Sequence, residues 1–248
     1  MPQRKTVDEV NHILDLYNSG CSQNKIFKTL GIDRGTIRQI INDPQGYLNK
    51  ATIKFNLSEI NKKSYAFILG VYLGDGCISK THTPNVYRLR IALDNKYKEL
   101  NEEVISELKI LFPNNKIAHY AVENTNGCII SVHSSNLLTL FPQHDIGRKH
   151  ERPIILEDWQ KEIVNEFPVD FLKGLIYTDG CFYLAGGKYK RCNFTNKSKD
   201  IIDLCSDTMN KLNINHNIRM KNKDTKYYCY IVEIQNAKEM AKIPFRKS

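Results

Sequence analysis

The chain has 248 residues, a length that can bury one large core or two smaller ones. Its 36 Lys and Arg residues outnumber 27 Asp and Glu residues, which gives a formal charge of +9, and 41% of the residues are hydrophobic. This composition excludes a disordered basic tail. A folded protein with such a positive surplus favours a polyanionic partner such as nucleic acid, although ribosomal proteins and ordinary basic enzymes share the property.

The cysteines and the N-terminus bear on the compartment. The seven cysteines are scattered and nowhere form a CxxC pair, which disfavours a zinc site or a disulfide framework and favours a reducing compartment. The opening residues lack the apolar run of a secretion signal, and no stretch approaches the roughly 18 apolar residues of a membrane span. We expect an intracellular protein with no membrane partner, in the cytoplasm of a bacterium or phage host or in an organelle.

Residues 1–45 carry a pattern of three short helices. Ser22 is suited to cap the second helix, and residues 31–33 form a tight turn with a cap before the third. The pattern resembles a helix-turn-helix, with a plain helical cap as the alternative, and its candidate DNA contacts are Arg34, Thr36 and Arg38. The break around Pro44 and the polar stretch after it predict a linker at 46–60.

After the linker, the same order of elements occurs twice. An apolar helix precedes two strands, an amphipathic helix, two more strands and a short helix. In the first copy the predicted strands are 77–83, 87–95, 116–123 and 128–133, and the later helices are near 97–111 and 137–141. In the second copy the strands are 181–185, 189–195, 217–223 and 227–235, and the helices are 200–212 and 237–243. The repeat predicts an α+β fold of two pseudo-symmetric half-domains.

The first helix of each copy ends in Asp-Gly, in the runs ILGVYLGDG at 68–76 and LKGLIYTDG at 172–180. Gly70 and Gly74 in the first run are small residues spaced four apart, so they lie on one helical face. Gly174 and Thr178 have the same spacing in the second run. We therefore expect the two helices to pack closely against each other.

Close packing of these helices would place Asp75 beside Asp179. Two like charges repel, and each carboxylate lies at the negative end of its helix dipole, so a divalent cation would relieve both penalties. Oxygen ligands suit a hard ion such as Mg²⁺, and paired carboxylates that hold such ions fit phosphodiester hydrolysis. The alternative is two buried helices whose Asp-Gly ends are simple helix stops. The duplication of the run favours paired acids.

With the same elements after each copy, the duplicated motif resembles that of the LAGLIDADG homing endonucleases. The resemblance extends from about Ser64 to the C-terminus. The nine-residue motif matches at its third, eighth and ninth positions in both copies, at Gly70, Asp75, Gly76, Gly174, Asp179 and Gly180. The resemblance implies half-domains at 61–157 and 158–248, each with the order αββαββα, whose antiparallel sheets form a saddle over the DNA major groove.

The resemblance also implies a reaction. Single-chain members of this family cut both DNA strands across the minor groove and leave short 3′ overhangs. By this resemblance Asp75 and Asp179 are the metal-binding catalytic acids, with Gly74 and Thr178 beside them at the metal site. The implied cofactor is Mg²⁺, for which Mn²⁺ would substitute. The expected partner is double-stranded DNA, and the expected state is a monomer.

Further catalytic residues are implied by their positions in the family's pattern. Lys149 follows the third helix of the first half, where the family often has a basic residue near the scissile phosphate, and it would polarise the attacking water or the phosphate. Lys247 is a weak counterpart at the end of the second half. Asn193 matches a polar position late in the second strand, whereas Ala92 in the first half does not. We therefore expect two cuts of unequal rate.

Strands that cross a major groove contact bases with alternate side chains, while their other face packs on helices. The candidates for DNA contact are the basic residues that fit this alternation, Arg88, Arg90, Arg191, Arg219, Lys221 and Lys223, and three residues shortly after the acids, Ser79, Thr81 and Tyr183. The alternative for each basic residue is a solvated sheet face. Because the halves differ in sequence, we expect a long and imperfectly palindromic target.

The leading hypothesis is a Mg²⁺-dependent, site-specific endonuclease for double-stranded DNA. One alternative is a DNA-binding transcriptional regulator that keeps the fold without cutting, and the presence of both Asp75 and Asp179 argues against it. Another is an RNA maturase that assists intron splicing, since some family members use the same basic surfaces for RNA. The sequence therefore leaves RNA open as a further partner.

Overall fold

The computed structural model describes residue 5 and residues 7–47, 59–145 and 147–243. Most of the predicted linker and the candidate Lys247 lie outside these ranges. Contacts between Cα atoms divide the chain into two compact units, residues 1–59 and residues 60–248. Within the described ranges, no helix is both long enough and apolar enough to cross a membrane.

The first unit is built around a small aliphatic core. Helices α1 (Val7–Asn18), α2 (Gln23–Leu30) and α3 (Arg34–Asn42) follow the predicted order, and residues 44–47 add a helical turn. The helices enclose a cluster of buried side chains, Val10, Ile13, Ile26, Ile32, Ile37 and Ile40. Each such side chain contributes about 1.5–3 kcal/mol when it is fully buried. The shared core therefore stabilises three helices that are too short to be stable alone.

The turn between α2 and α3 has the capping chemistry that its sequence predicts. Gly31 adopts φ 65°, the left-handed conformation that ends α2, and its N–H donates to the Phe27 carbonyl at 2.8 Å. Asp33 caps α3 by accepting from the Thr36 N–H at 3.1 Å and also from the Thr36 hydroxyl. These hydrogen bonds lower the pKa of Asp33. The Thr36 hydroxyl is therefore already engaged within the unit.

The second unit repeats one arrangement twice. The first half contains α4 (Lys62–Asp75), β1 (Gly76–Lys80), β2 (Tyr87–Asp94), α5 (Lys98–Leu111), β3 (Ile117–Ala121), β4 (Gly127–Ser134) and α6 (Leu137–Leu140). After α7 (Asp158–Glu166), the second half contains α8 (Pro168–Asp179), β5 (Gly180–Ala185), β6 (Tyr189–Asn196), α9 (Lys199–Lys211), β7 (Asn217–Lys221), β8 (Cys229–Ile234) and α10 (Ala237–Ala241). The predicted α+β fold with two αββαββα halves is confirmed.

Each half has one antiparallel sheet of four strands, in the orders β1-β2-β4-β3 and β5-β6-β8-β7. Gly76 pairs with Ile91 in the first sheet, and Gly180 pairs with Phe194 in the second. Because these pairs start each sheet at the same point after Asp-Gly, the two sheets have the same register. Any position in one sheet therefore has a defined counterpart in the other.

The two sides of each sheet differ in burial. In β2, Leu89 and Ile91 are fully buried, whereas Arg90 between them is exposed. In β6, Cys192 and Phe194 are buried in the same alternation. The buried side packs on the helices, as period-two patterning requires. We call the other side of each sheet, the side of Arg90 in the first half, its open face.

Helices α4 and α8 pack against each other through small residues. A Cβ on Gly70 would lie 2.4 Å from the Phe171 carbonyl oxygen and 3.0 Å from the Cα of Gly174. A Cβ on Gly174 would lie 2.2 Å from a carbonyl oxygen of α4. One turn later, a Cβ on Gly74 would lie 1.9 Å from the Thr178 Oγ1. The close packing predicted from the small residues is therefore present at two successive turns.

Helix α7, which joins the halves, is absent from the predicted order of elements. It begins with a capping box in which Glu157 and Gln160 each bind the other's backbone N–H, and it buries Ile163 and Val164. The Gln160 amide Nε2 also donates to the hydroxyl of the buried Tyr65 in α4, at 2.6 Å. The box and the aliphatic pair are both readable in the sequence, so this helix was predictable.

Two predicted strand residues lie in turns instead. β1 ends at Lys80, and the Thr81 hydroxyl donates to the Val86 carbonyl at 2.8 Å across the hairpin. β7 ends at Lys221, and Asn222 adopts φ 56° where the chain turns. The strand positions predicted for Thr81 and Lys223 are therefore wrong, because local turns end β1 three residues early and β7 two residues early.

Gly174→Ala tests the close packing of α4 and α8. We expect the free energy of unfolding to fall by about 3 kcal/mol or more, because the new methyl group would overlap backbone that cannot move independently. Alanine's better helix propensity, about 1 kcal/mol, offsets part of this loss. Urea unfolding followed by circular dichroism measures the change.

Gly127→Ala is the matched control for this substitution. Its new methyl group would meet the Thr125 Oγ1 at 3.1 Å and no other atom nearer than 3.8 Å. Equal stabilities of the two variants would contradict a tightly constrained helix pair.

Candidate catalytic centre

Asp75 and Asp179 are the last residues of α4 and α8, and both are half-buried. The glycine after each acid has a steric reason. A Cβ on Gly76 would lie 2.6 Å from the Tyr72 Cα, and a Cβ on Gly180 would lie 2.4 Å from the Ile176 carbonyl oxygen. Only glycine therefore permits the chain to turn at once from the helix into the first strand of each sheet.

Each acid lines a cleft that also contains residues of the opposite half. One cleft, of about 690 Å³, contains Asp179 together with Gly76 and Cys77 of the first half, and we call it the Asp179 cleft. The other, of about 540 Å³, contains Asp75 together with Cys181 of the second half, and we call it the Asp75 cleft. Both clefts are thus built from both halves.

The Asp179 cleft contains Lys149, which lies in a single 3₁₀ turn (Lys149–Glu151). Its ammonium donates to three consecutive carbonyls of α4, those of Tyr72 at 2.6 Å, Leu73 at 2.8 Å and Gly74 at 2.6 Å. Three donors are all that an ammonium has. Lys149 therefore neutralises the negative end of the α4 dipole.

The charge on Lys149 also reaches both acids. Burial lowers the pKa of Lys149 to about 8, while the carboxylates of Asp179 and Asp75 act in the opposite direction and favour the charged form. The ammonium thus lies where the negative charges of both helix ends converge. The Gly74 carbonyl, a predicted metal-site group, is occupied by this ammonium in the present arrangement.

Asn196 is a contact of Asp179 that the sequence analysis missed. Its amide Nδ2 donates to the Asp179 Oδ2 at 2.6 Å, and its Oδ1 accepts from the Ser198 N–H at 2.8 Å. The second bond fixes the amide orientation, so Asn196 holds the carboxylate in place. By register its counterpart in the first half is the buried Leu93. The two acids therefore have different environments.

Asn193, a predicted catalytic residue, lies on the open face rather than on the Asp179 carboxylate. It pairs with Cys181 in the sheet, and its Oδ1 accepts from the Tyr183 hydroxyl at 3.5 Å. Its counterpart by register is Arg90, because Arg90 pairs with Cys77. The predicted comparison of Asn193 with Ala92 is therefore wrong, since the side chains occupy different register positions.

Most of the predicted contact residues of the sheets share the open faces. The register places Ser79, Arg88 and Arg90 on that face of the first sheet, and Tyr183, Arg191, Arg219 and Lys221 on that face of the second. Arg88 and Arg191 are counterparts, and in both the Nε is buried without an acceptor among the described residues. The Arg88 guanidinium donates to the Tyr120 hydroxyl. Each face therefore has an arginine at the same register position, and the Arg88 side chain is held by Tyr120.

The predicted contact residues of the first unit differ in their availability. Arg34 donates through Nη1 to the Asn24 Oδ1 at 3.2 Å, while the Thr36 hydroxyl is held by Asp33. Arg38 is exposed beside a shallow groove that also contains Gln39. Arg34 and Arg38 are both exposed, but the Arg34 guanidinium already has a partner within the unit.

Comparison with known proteins agrees with this architecture. A family model described as a LAGLIDADG-like domain matches residues 166–243, and no curated protein matches the chain. The solved structure of I-DmoI with DNA and Mn is 18% identical, covers 77% of this chain and 99% of that chain, and has a TM-score of 0.53. The structure of I-DmoI with DNA and Ca is 19% identical, covers 73% and 86%, and has a TM-score of 0.52.

Full-length DUF199/WhiA from Thermatoga maritima is also similar. It is 12% identical, covers 77% of this chain and 60% of that chain, and has a TM-score of 0.50. At such identities the structural likeness shows the fold. The chain therefore has the two-domain fold of I-DmoI, with two Asp-Gly helices paired at its centre, and residues 166–243 match a LAGLIDADG-like domain.

Proposed function

We propose that this protein is a site-specific endonuclease that cuts both strands of DNA with the help of a divalent metal ion. The observation that carries the proposal is the pair of half-buried carboxylates, Asp75 and Asp179, at the adjacent ends of α4 and α8. If the two helices simply ended there, nothing would require both acids to interact with one partly buried ammonium, that of Lys149. Two carboxylates that can bind a metal, with a cation nearby, are the groups that metal-assisted phosphate chemistry uses.

The two acids fit a hard divalent cation. Within the described residues, no group of three or more His, Cys, Asp and Glu side chains is arranged to hold a metal. Mg²⁺ commonly binds through one or two carboxylates and completes its shell with water and substrate phosphate oxygens. Asp75 and Asp179 would hold the ion in this way, and Thr178 lies beside them in the Asp75 cleft. The metal, when bound, would activate water and stabilise the leaving oxygen.

The neighbouring side chains have separate tasks in this proposal. Asn196 orients the Asp179 carboxylate. Lys149 supplies positive charge beside the DNA strand that would enter the Asp179 cleft. Before Lys149 could touch a phosphate, it would have to release at least one of its three carbonyls. Because the Asp75 cleft has Leu93 where the other has Asn196, we propose unequal cutting of the two strands.

The open faces of the two sheets are the proposed DNA-binding surface. They carry arginines at matched register positions, and the net charge of +9 supports a polyanionic partner. I-DmoI, which shares the fold, is in complex with DNA in its solved structures. Since one chain supplies both motif helices, we propose that the protein acts as a monomer inside the cell, with Mg²⁺ as its metal and Mn²⁺ as a substitute.

A DNA-binding regulator that does not cut is the second candidate. The observation that favours it is the separate three-helix unit, whose exposed Arg38 would add DNA contacts that cleavage itself does not need. The two candidates predict the same binding and opposite results with metal. A metal-dependent cut in a bound target distinguishes them.

Asp75→Asn and Asp179→Asn test the cleavage chemistry. Each variant removes one charge from the proposed metal site, so we expect the rate of double-strand cleavage to fall about 1,000-fold or more. A supercoiled plasmid that carries the bound target, incubated with Mg²⁺, separates nicked from linear products. Neither variant should accumulate linear product, because each acid contributes to the same proposed metal site.

Binding to the same target, measured in EDTA by gel shift, is the control for both variants. We expect it to persist, since neither substitution adds bulk or negative charge. Metal-independent cleavage, or full cleavage by both variants, would reject the proposed chemistry. Loss of binding would instead assign the acids a structural role.

Lys149→Met tests the ammonium in the Asp179 cleft. Loss of a positive charge beside the reacting phosphate should lower the maximal cleavage rate about 100-fold. The Mg²⁺ concentration for half-maximal activity should not rise, because a competing cation has been removed beside the carboxylates. The exposed Lys161, which pairs with Asp158 at 2.8 Å, provides the control Lys161→Met. An unchanged rate in Lys149→Met would mean that Lys149 has no part in cleavage and only caps the C-terminal end of α4.

Arg38→Ala tests the first unit. If Arg38 contacts a phosphate, the slope of the logarithm of the binding constant against the logarithm of salt concentration should decrease by about 0.9. Metal-dependent cleavage should remain. Arg38→Lys keeps the charge and should keep the slope. Identical slopes for Arg38→Ala and the original protein would mean that Arg38 does not contact the DNA backbone.

A further inference from the structure

The open face of the second sheet, which carries Arg191, Arg219 and Lys221, also contains a carboxylate. Glu233 lies in β8, between β6 and β7, and only 8% of it is exposed. Its Oε1 accepts from the Arg219 Nη2 at 2.9 Å, and its Oε2 accepts from the Gln235 Nε2 at 2.7 Å. Both carboxylate oxygens therefore have a donor. A carboxylate repels phosphate groups, so its presence on the proposed DNA-binding surface needs an explanation.

The exposure of the pair shows which partner is presented outward. The Arg219 side chain is 48% exposed, whereas that of Glu233 is 10% exposed. The Arg219 hydrogen bond lowers the pKa of Glu233, so the acid stays ionised. A guanidinium has five N–H donors in a rigid plane, and one donor bound to Glu233 leaves the rest available. Glu233 thus restrains the arginine while its other donors stay available.

From this geometry we propose that Arg219 reads a guanine in the DNA half-site facing the second sheet, with Glu233 and Gln235 as its positioning residues. This inference rests on the proposed DNA-binding function. An arginine that donates two bonds to guanine O6 and N7 is the commonest specific contact in the major groove. Restraining the side chain beforehand removes part of the ordering cost and rejects bases that would need another rotamer.

The first sheet does not offer the same group at the matching position. Asn217 pairs with Glu233 in the second sheet, and Ala118 pairs with Ser131 in the first. By that register Ser131 occupies the place of Glu233, and Tyr120 occupies the place of Arg219. The guanine preference should therefore appear in one half-site only. This difference gives a physical reason for an imperfect palindrome.

Selection of bound sequences from a randomised double-stranded DNA library tests the proposal. The full chain is used in EDTA, which withholds the metal needed for cutting. We expect one guanine position, not mirrored in the other half-site, at which Arg219→Ala lowers the preference about 10- to 100-fold. Glu233→Gln should lower the same preference about tenfold, while its affinity for random DNA stays equal or rises because a negative charge is lost.

Lys221→Ala is the matched control, because Lys221 is exposed on the same face of the same strand. It should weaken all sequences alike. An unchanged guanine preference in Glu233→Gln, within a clear enriched site, would overturn this inference and leave the proposed DNA binding intact. Glu233→Gln could instead abolish a cytosine preference at a base pair that Arg219→Ala leaves unchanged. That result would mean that Glu233 reads a base itself, and it would also overturn the inference. Enrichment of no sequence by the original protein would reject the inference and site-specific binding together.

Discussion

The close approach of α4 and α8 is the constraint on which the rest of the second unit depends. At Gly70 and Gly174 each backbone fills the space that a side chain would need. Because both helices end at the same level, this contact also sets where Asp75 and Asp179 lie. The sheets follow directly from the helix ends through Gly76 and Gly180, so their placement is tied to the same contact. Packing and chemistry therefore share one set of residues.

This geometry creates an electrostatic problem that the fold solves in part. Two carboxylates at the negative ends of two helices repel each other and the carbonyls beside them. Lys149 donates three hydrogen bonds to the last turn of α4, and its charge interacts favourably with both acids. A metal ion in the proposed site would neutralise the negative charge that Lys149 leaves uncompensated. A bound phosphate would compete with the carbonyls of α4 for hydrogen bonds from this ammonium.

The sequence was most informative where a pattern repeats. The duplicated Asp-Gly runs and the order of elements predicted the fold, the helix pair and the residues at its interface, because small-residue spacing has a direct packing meaning. Asn196 was not predicted because its role depends on the register of the sheet. Gly180 pairs with Phe194, and Asn196 lies two residues further along the same strand. Glu233 escaped notice because an acid in a strand has no distinctive spacing. Such contacts between distant residues require coordinates.

The composition of the two clefts has a consequence for how this protein could change. Gly76 and Cys77 lie in the cleft of Asp179, while Cys181 lies in the cleft of Asp75. A half-domain taken from another protein would therefore bring one wall of each cleft and not the whole of either. The open faces of the two sheets can diverge independently, and they already differ, whereas a change in either half alters both clefts. The duplicated order of elements therefore gives two separate sheet faces and one centre that both halves share.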